Sequence, residues 1–87
     1  MDERRRHPRM RVLKSGKIIV AEKSPAIPCI VRNVSVYGAC LQVDSQHGIP
    51  DVFMIVIDGI QHRCRVAWRA SPKMGVSYQA DDYQHAA

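Results

Sequence analysis

The sequence predicts an all-β fold: a small six-stranded antiparallel β-barrel with a basic N-terminal arm. Three observations carry that expectation. From Lys17 onward, apolar and polar residues alternate with period two. Turn-forming residues punctuate the alternation at short, regular spacing. No segment carries the three-to-four spacing of a long amphipathic helix. Closure is expected because so short an open sheet would leave two unpaired edges.

The elements follow in order. Residues 17–21 (KIIVA) form a first strand and residues 22–26 (EKSPA) a turn. Residues 28–34 (PCIVRNV) form a second strand, with Pro28 tolerated at its start, where no ladder donor is needed. Residues 35–38 break the pattern. Residues 39–43 (ACLQV) alternate, with Ala39, Leu41 and Val43 on one face and Cys40 and Gln42 on the other. A polar loop with Gly48 and Pro50 leads to residues 52–57, a strand apolar on both faces and so placed centrally. Asp58-Gly59 is a two-residue hairpin signal, because a type I′ turn needs positive φ at both positions. The returning strand, residues 60–69, sets His62, Cys64, Val66 and Trp68 on one face and Arg63, Arg65, Ala67 and Arg69 on the other. Ser71-Pro72-Lys73 turns the chain into a sixth strand, residues 74–79. Three segments result: a basic arm at 1–16, a barrel at 17–79, and a short polar tail at 80–87 with at most one helical turn.

At 87 residues and 9.8 kDa the chain has room for one domain. Apolar residues at 46% and charged residues at 24% exclude wholesale disorder. The longest apolar run, Val52 to Ile57, is too short for a membrane-spanning helix, so no membrane insertion is expected. No apolar stretch follows the basic N-terminus, so it is not a signal peptide. The expected compartment is therefore the cytoplasm, with Cys29, Cys40 and Cys64 reduced and buried as small hydrophobes. Neither the cysteines nor the histidines show paired metal-ligand spacing, so no metal is expected. No triad, paired carboxylate or glycine-rich phosphate loop is visible, which points away from an enzyme.

The net charge of +5 is confined to the arm. The chain's first 17 residues, the arm with Lys17, hold seven cations, five of them arginine, against Asp2 and Glu3; the rest of the chain is balanced. Arginine grips phosphate or a base edge with a planar fork, so the arm points to a phosphorylated partner.

Two motifs sharpen this. Arg5-Arg6-His7-Pro8-Arg9 is an R-x-x-x-R run in which Pro8 biases His7 to an extended conformation. Asn33-Val34-Ser35-Val36-Tyr37-Gly38 is an N-x-S-x-x-G run at a strand-to-strand break. Asn33 and Ser35, two apart, face the same way, and Gly38 permits close backbone approach or positive φ. A local alternative is that Asn33 and Ser35 only cap the turn.

The two motifs in this order, 24 residues apart from Arg9 to Asn33, resemble the PilZ domain family, receptors for the bacterial second messenger cyclic di-GMP. Val66-Ala67-Trp68 and Met74-Gly75-Val76-Ser77-Tyr78 look like that family's closing hairpin, so the resemblance covers most of the chain. It implies that Arg5, Arg9, Asn33, Ser35 and Gly38 bind cyclic di-GMP. Arg4, directly before the motif, and Trp68 are further candidates. No cofactor is implied beyond this ligand.

The chemistry agrees. Guanine O6 and N7 suit an arginine fork, and the ring faces accept guanidinium stacking. Guanine's N1–H and N2–H₂ need acceptors, which Asn33 Oδ1 and Ser35 Oγ supply. An aspartate in place of Asn33 would add charge assistance worth about 1–2 kcal/mol, so affinity is expected in roughly the micromolar range. Ligand is expected to fold the arm over the corner, and the signal to pass to a separate, unidentified protein. Two alternatives stand beside this: a PilZ-like adaptor that does not bind the nucleotide, and single-stranded nucleic-acid binding by the basic arm. The neutral barrel body and only five aromatic residues disfavour the second.

Overall fold

The structure, a computed structural model, describes residues 10–79. Six strands run β1 (Met10–Ile19), β2 (Ile27–Val34), β3 (Gly38–Gln42), β4 (Val52–Ile57), β5 (Ile60–Ala70) and β6 (Lys73–Tyr78). Every neighbouring pair is antiparallel, and the order β1-β2-β3-β6-β5-β4 closes into a barrel through β1 against β4. The expected six-stranded antiparallel barrel is therefore what forms, and closure leaves no unpaired edge. Every strand in it has two neighbours, so β4 is no more central than the rest; Phe53, Ile55 and Ile57 face the core while Met54 and Val56 lie half-buried outside. Among the described residues there is no helix, and so none long and apolar enough to cross a membrane.

The core follows the inward half of each alternation. Ile18, Val31, Leu41, Ile55, Cys64 and Met74 are fully buried, each large aliphatic chain contributing about 1.5–3 kcal/mol over its exposed state. Ile49, from the β3–β4 loop, joins the core. Arg69 holds that loop, its Nη2 donating to the Ile49 carbonyl at 2.9 Å and to Asp51 Oδ1 at 3.0 Å. At the β4–β5 hairpin Asp58 (φ 55°) and Gly59 (φ 79°) both take positive φ, as the type I′ expectation requires.

The largest departure from the sequence reading is β1. It begins at Met10, not at Lys17, so residues 10–16 belong to the barrel rather than to the arm. Exposure alternates regularly from Arg11 to Ile18, but residue type does not follow it: Lys14 and Gly16 take less exposed positions and Leu13 an exposed one, which hides the period-two pattern in the sequence. Val12 packs against the core while its neighbour Leu13 is exposed. The other strands agree with expectation to within one residue at either end; β6 stops at Tyr78 rather than Gln79. The expected helical turn in the tail lies outside the described residues, as does the arm up to Arg9.

Candidate functional site

Asn33 ends the regular part of β2, and a bulge decides its direction. Val31 is fully buried, so strict alternation would turn Asn33 inward. The β2–β3 register shifts between Val31 and Asn33, and Val34 packs against the core instead. The extra residue, Arg32, puts both Arg32 and Asn33 on the outer face. Asn33 and Ser35 then project the same way, as their spacing predicts.

Ser35 closes the β2–β3 corner. Its N–H donates to the Gly38 carbonyl at 2.9 Å, and its Oγ accepts the Tyr37 N–H at 3.2 Å. The hydroxyl therefore does the local capping of the alternative reading, yet it keeps a proton to donate and a second lone pair. Gly38 answers the close-approach expectation and not the positive-φ one. It pairs with Ser77 on β6, and a Cβ there would lie 2.0 Å from the Val76 carbonyl oxygen. Positive φ among the glycines is confined to Gly48 and Gly59.

Trp68 needs a correction. It does not share the inward face of Cys64 and Val66. The β5–β6 register shifts between Val66 and Trp68, and this bulge turns the indole outward, where it is 43% exposed against Gly75. His62, by contrast, is half-buried and stacks on the Tyr78 ring, centroids 4.3 Å apart.

These elements line up. Arg11 is opposite Asn33, Asn33 opposite Cys40, Cys40 opposite Gly75, and Gly75 opposite Trp68. Directly opposed residues share a face, so one outward row crosses β1, β2, β3, β6 and β5. At ~4.8 Å per strand it spans roughly 19 Å. Small residues, Cys40 and Gly75, form its middle; Arg11 and Asn33 stand at one end and the indole at the other. Two open hollows adjoin the row. One, about 180 Å³, is lined by Ser35, Gly38, Trp68 and Ser77 among others. The other, about 610 Å³, is lined by Arg11, Arg32, Asn33, Cys40 and Lys73 together with Val12 and Leu13.

Of the seven residues singled out from the sequence, Asn33, Ser35, Gly38 and Trp68 thus come together on one outer surface. Arg4, Arg5 and Arg9 lie outside the described residues. The sequence reading missed Arg11, Arg32, Cys40 and Lys73 as neighbours of Asn33. Their nearness is set by register across four strands, which no local motif encodes. None of the three cysteines is in a disulfide and all are buried, but they are not equivalent. Cys29 and Cys64 belong to the core, whereas Cys40 belongs to the outer row and lines the larger hollow. Burial pushes the Cys29 thiol up to about 11, outweighing a backbone hydrogen bond from Gly16 that draws it down. Among the described residues no cluster of His, Cys, Asp and Glu is placed to hold a metal.

Comparison with known proteins places the chain in a family. Eight chains of solved structures match. One is the crystal structure of the PilZ domain of CeSA from a cellulose-synthesizing bacterium, with a TM-score of 0.65 and 14% identity over 88% of this chain and 85% of that one. At that identity the likeness establishes the fold. No curated protein matches the chain. The model of the PilZ domain family matches residues 3–86, nearly the whole sequence, and the chain therefore belongs to the PilZ domain family.

Proposed function

We propose that the chain is a receptor for cyclic di-GMP, the ligand for which PilZ domains are generally receptors. Asn33 Oδ1 and Ser35 Oγ accept from one guanine's N1–H and N2–H₂. Arg5 and Arg9 grip the Hoogsteen edge or the phosphates, and Arg4 adds a phosphate contact. Gly38 keeps the corner low enough for the ligand to approach, and the Trp68 indole offers it an apolar wall.

The observation that carries the reading is the pairing of Met10 with Val34, the residue between Asn33 and Ser35. Arg9 is bonded to Met10, so its Cα is held about 3.8 Å from it, and Arg5 is tethered within roughly 18 Å. The R-x-x-x-R run is thereby leashed to the corner. A ligand held by both would draw the arm over the barrel and create a surface for a partner protein, whose identity is open.

Calorimetric titration of the full chain with cyclic di-GMP tests this. Wild type is expected to bind in the micromolar range, and Arg9→Ala to lose about 2–4 kcal/mol. Equal affinity in the two proteins would overturn the mechanism. No heat in wild type would leave the non-binding adaptor, a PilZ fold that engages a partner without the nucleotide.

A further inference from the structure

Arg11, Arg32 and Lys73 come from three strands, β1, β2 and β6, yet line one open hollow of about 610 Å³ with Asn33 and Cys40. No carboxylate lines it. Elsewhere on the barrel Lys14 is paired with Asp58 and Arg69 with Asp51. Among the described residues, no acid pairs with any of the three cations of the hollow.

Their positions are built rather than incidental. The β2 bulge turns Arg32 outward beside Asn33. Gln42 Oε1 accepts from Arg32 Nη1 at 3.0 Å, and Gln42 is directly opposite Lys73. The amide thus orients the guanidinium using one of its five N–H groups and leaves the others for a ligand. Arg11 faces Asn33 across the β1–β2 ladder. Three like charges around a recess with no anion repel one another, a cost that a bound oxyanion reverses. A planar fork and a point ammonium together suit a phosphate group.

We propose that this hollow is a phosphate seat, adjoining the nucleotide corner at Asn33 and separate from the arm's R-x-x-x-R run. The phosphate is either a phosphodiester of the cyclic dinucleotide itself, which rests on the reading above, or that of another phosphorylated group bound alongside it.

Amide NMR of the full chain titrated with inorganic pyrophosphate, at constant ionic strength, tests the seat without the nucleotide. Saturable shifts are expected at Arg11, Arg32, Cys40 and Lys73, and their loss in the doubly substituted Arg32→Gln, Lys73→Gln protein, whose dispersed spectrum would report an intact barrel. Shifts that do not saturate, or that are as large at Lys17 and Lys23, would overturn the proposal. A second arm separates the sources. If the seat takes the dinucleotide's own phosphate, saturating cyclic di-GMP abolishes the pyrophosphate shifts, and the double variant binds cyclic di-GMP roughly tenfold or more weakly. If the phosphate comes from another group, pyrophosphate still binds the nucleotide-loaded protein. Failure of wild type to bind cyclic di-GMP would strike the receptor reading alone, because the pyrophosphate arm decides the seat by itself.

Discussion

The Trp68 indole occupies the space in which a side chain on Gly75 would stand: a Cβ there would lie 2.2 Å from Nε1 and 2.4 Å from Cε2. The two residues are directly opposed on β5 and β6, at the end of the outer row away from Arg11. Gly75→Ala is therefore expected to destabilise the barrel by about 1–3 kcal/mol or to expel the indole. Trp68→Ala should relieve the conflict, so a double-mutant cycle by urea denaturation should show coupling of about 1 kcal/mol or more. Gly38→Ala is the contrast. There the obstacle is the Val76 carbonyl, which is backbone, and Trp68→Ala should not rescue it. Additive losses in the Gly75–Trp68 cycle would mean the contact is not what restricts residue 75.

Trp68 is the sole tryptophan, and its position makes it a reporter. It borders the same hollow as Ser35 and Gly38 and is partly open to solvent. Cyclic di-GMP bound at that corner should dry or stack on the indole, shifting or quenching its emission. The change should saturate at the calorimetric affinity and require a correspondingly higher ligand concentration in Arg9→Ala. Calorimetric heat with unchanged emission would remove Trp68 from the site while leaving Asn33 and Ser35 in it.

What the sequence disclosed, and what it hid, divides along the bulges. Where pairing is regular the pattern was sufficient: β4 runs from Val52 to Ile57 as expected, and Asp58-Gly59 makes the expected hairpin. Two register shifts mark failures, and residue type marks a third. On β1 exposure alternates, but Lys14 and Gly16 at the less exposed positions and Leu13 at an exposed one conceal a strand that begins at Met10. The shift at Arg32 turns out a residue that strict alternation would bury, so the direction of Asn33 was legible only relative to Ser35. The shift before Trp68 moved the indole to the outer face. A bulge is one extra residue without a fixed composition, so period two cannot locate it. The row from Arg11 to Trp68 joins residues 57 positions apart, and only the strand order sets that adjacency.

Cys29 gives the barrel a pH dependence of predictable sign. Its thiol is buried, and its pKa is raised from 9.0 to about 11. The folded state resists forming the thiolate, so the stabilisation is fully present below pH ~9 and is lost as pH rises towards ~11. The loss should reach about 2–3 kcal/mol at the top of that window. Tyrosines and lysines titrate in the same range, but they do so equally in Cys29→Ala. Unfolding free energies of the two proteins should therefore converge between pH 8 and 11, wild type falling faster. Parallel curves would show that the thiolate is accommodated without cost.

At the β4–β5 hairpin two effects meet on Asp58, and substitution can separate them. Its carboxylate pairs with Lys14 at 2.5 Å, but both side chains are substantially exposed, so the pair is worth under about 1 kcal/mol. Its backbone sits at φ 55°, the left-handed region, which costs an ordinary L-residue about 1–2 kcal/mol and aspartate or asparagine less. The backbone is therefore expected to win. Asp58→Asn, which discards the charge and keeps a tolerant residue, should stay within about 0.5 kcal/mol of wild type. Asp58→Ala should lose about 1 kcal/mol by thermal denaturation, and Asp58→Gly, free of the Cβ penalty, should not. Lys14→Met, which removes the pair from the other side, should resemble Asp58→Asn. If asparagine and alanine at residue 58 were equally damaging and Lys14→Met matched both, the ion pair rather than the turn would be what this hairpin depends on.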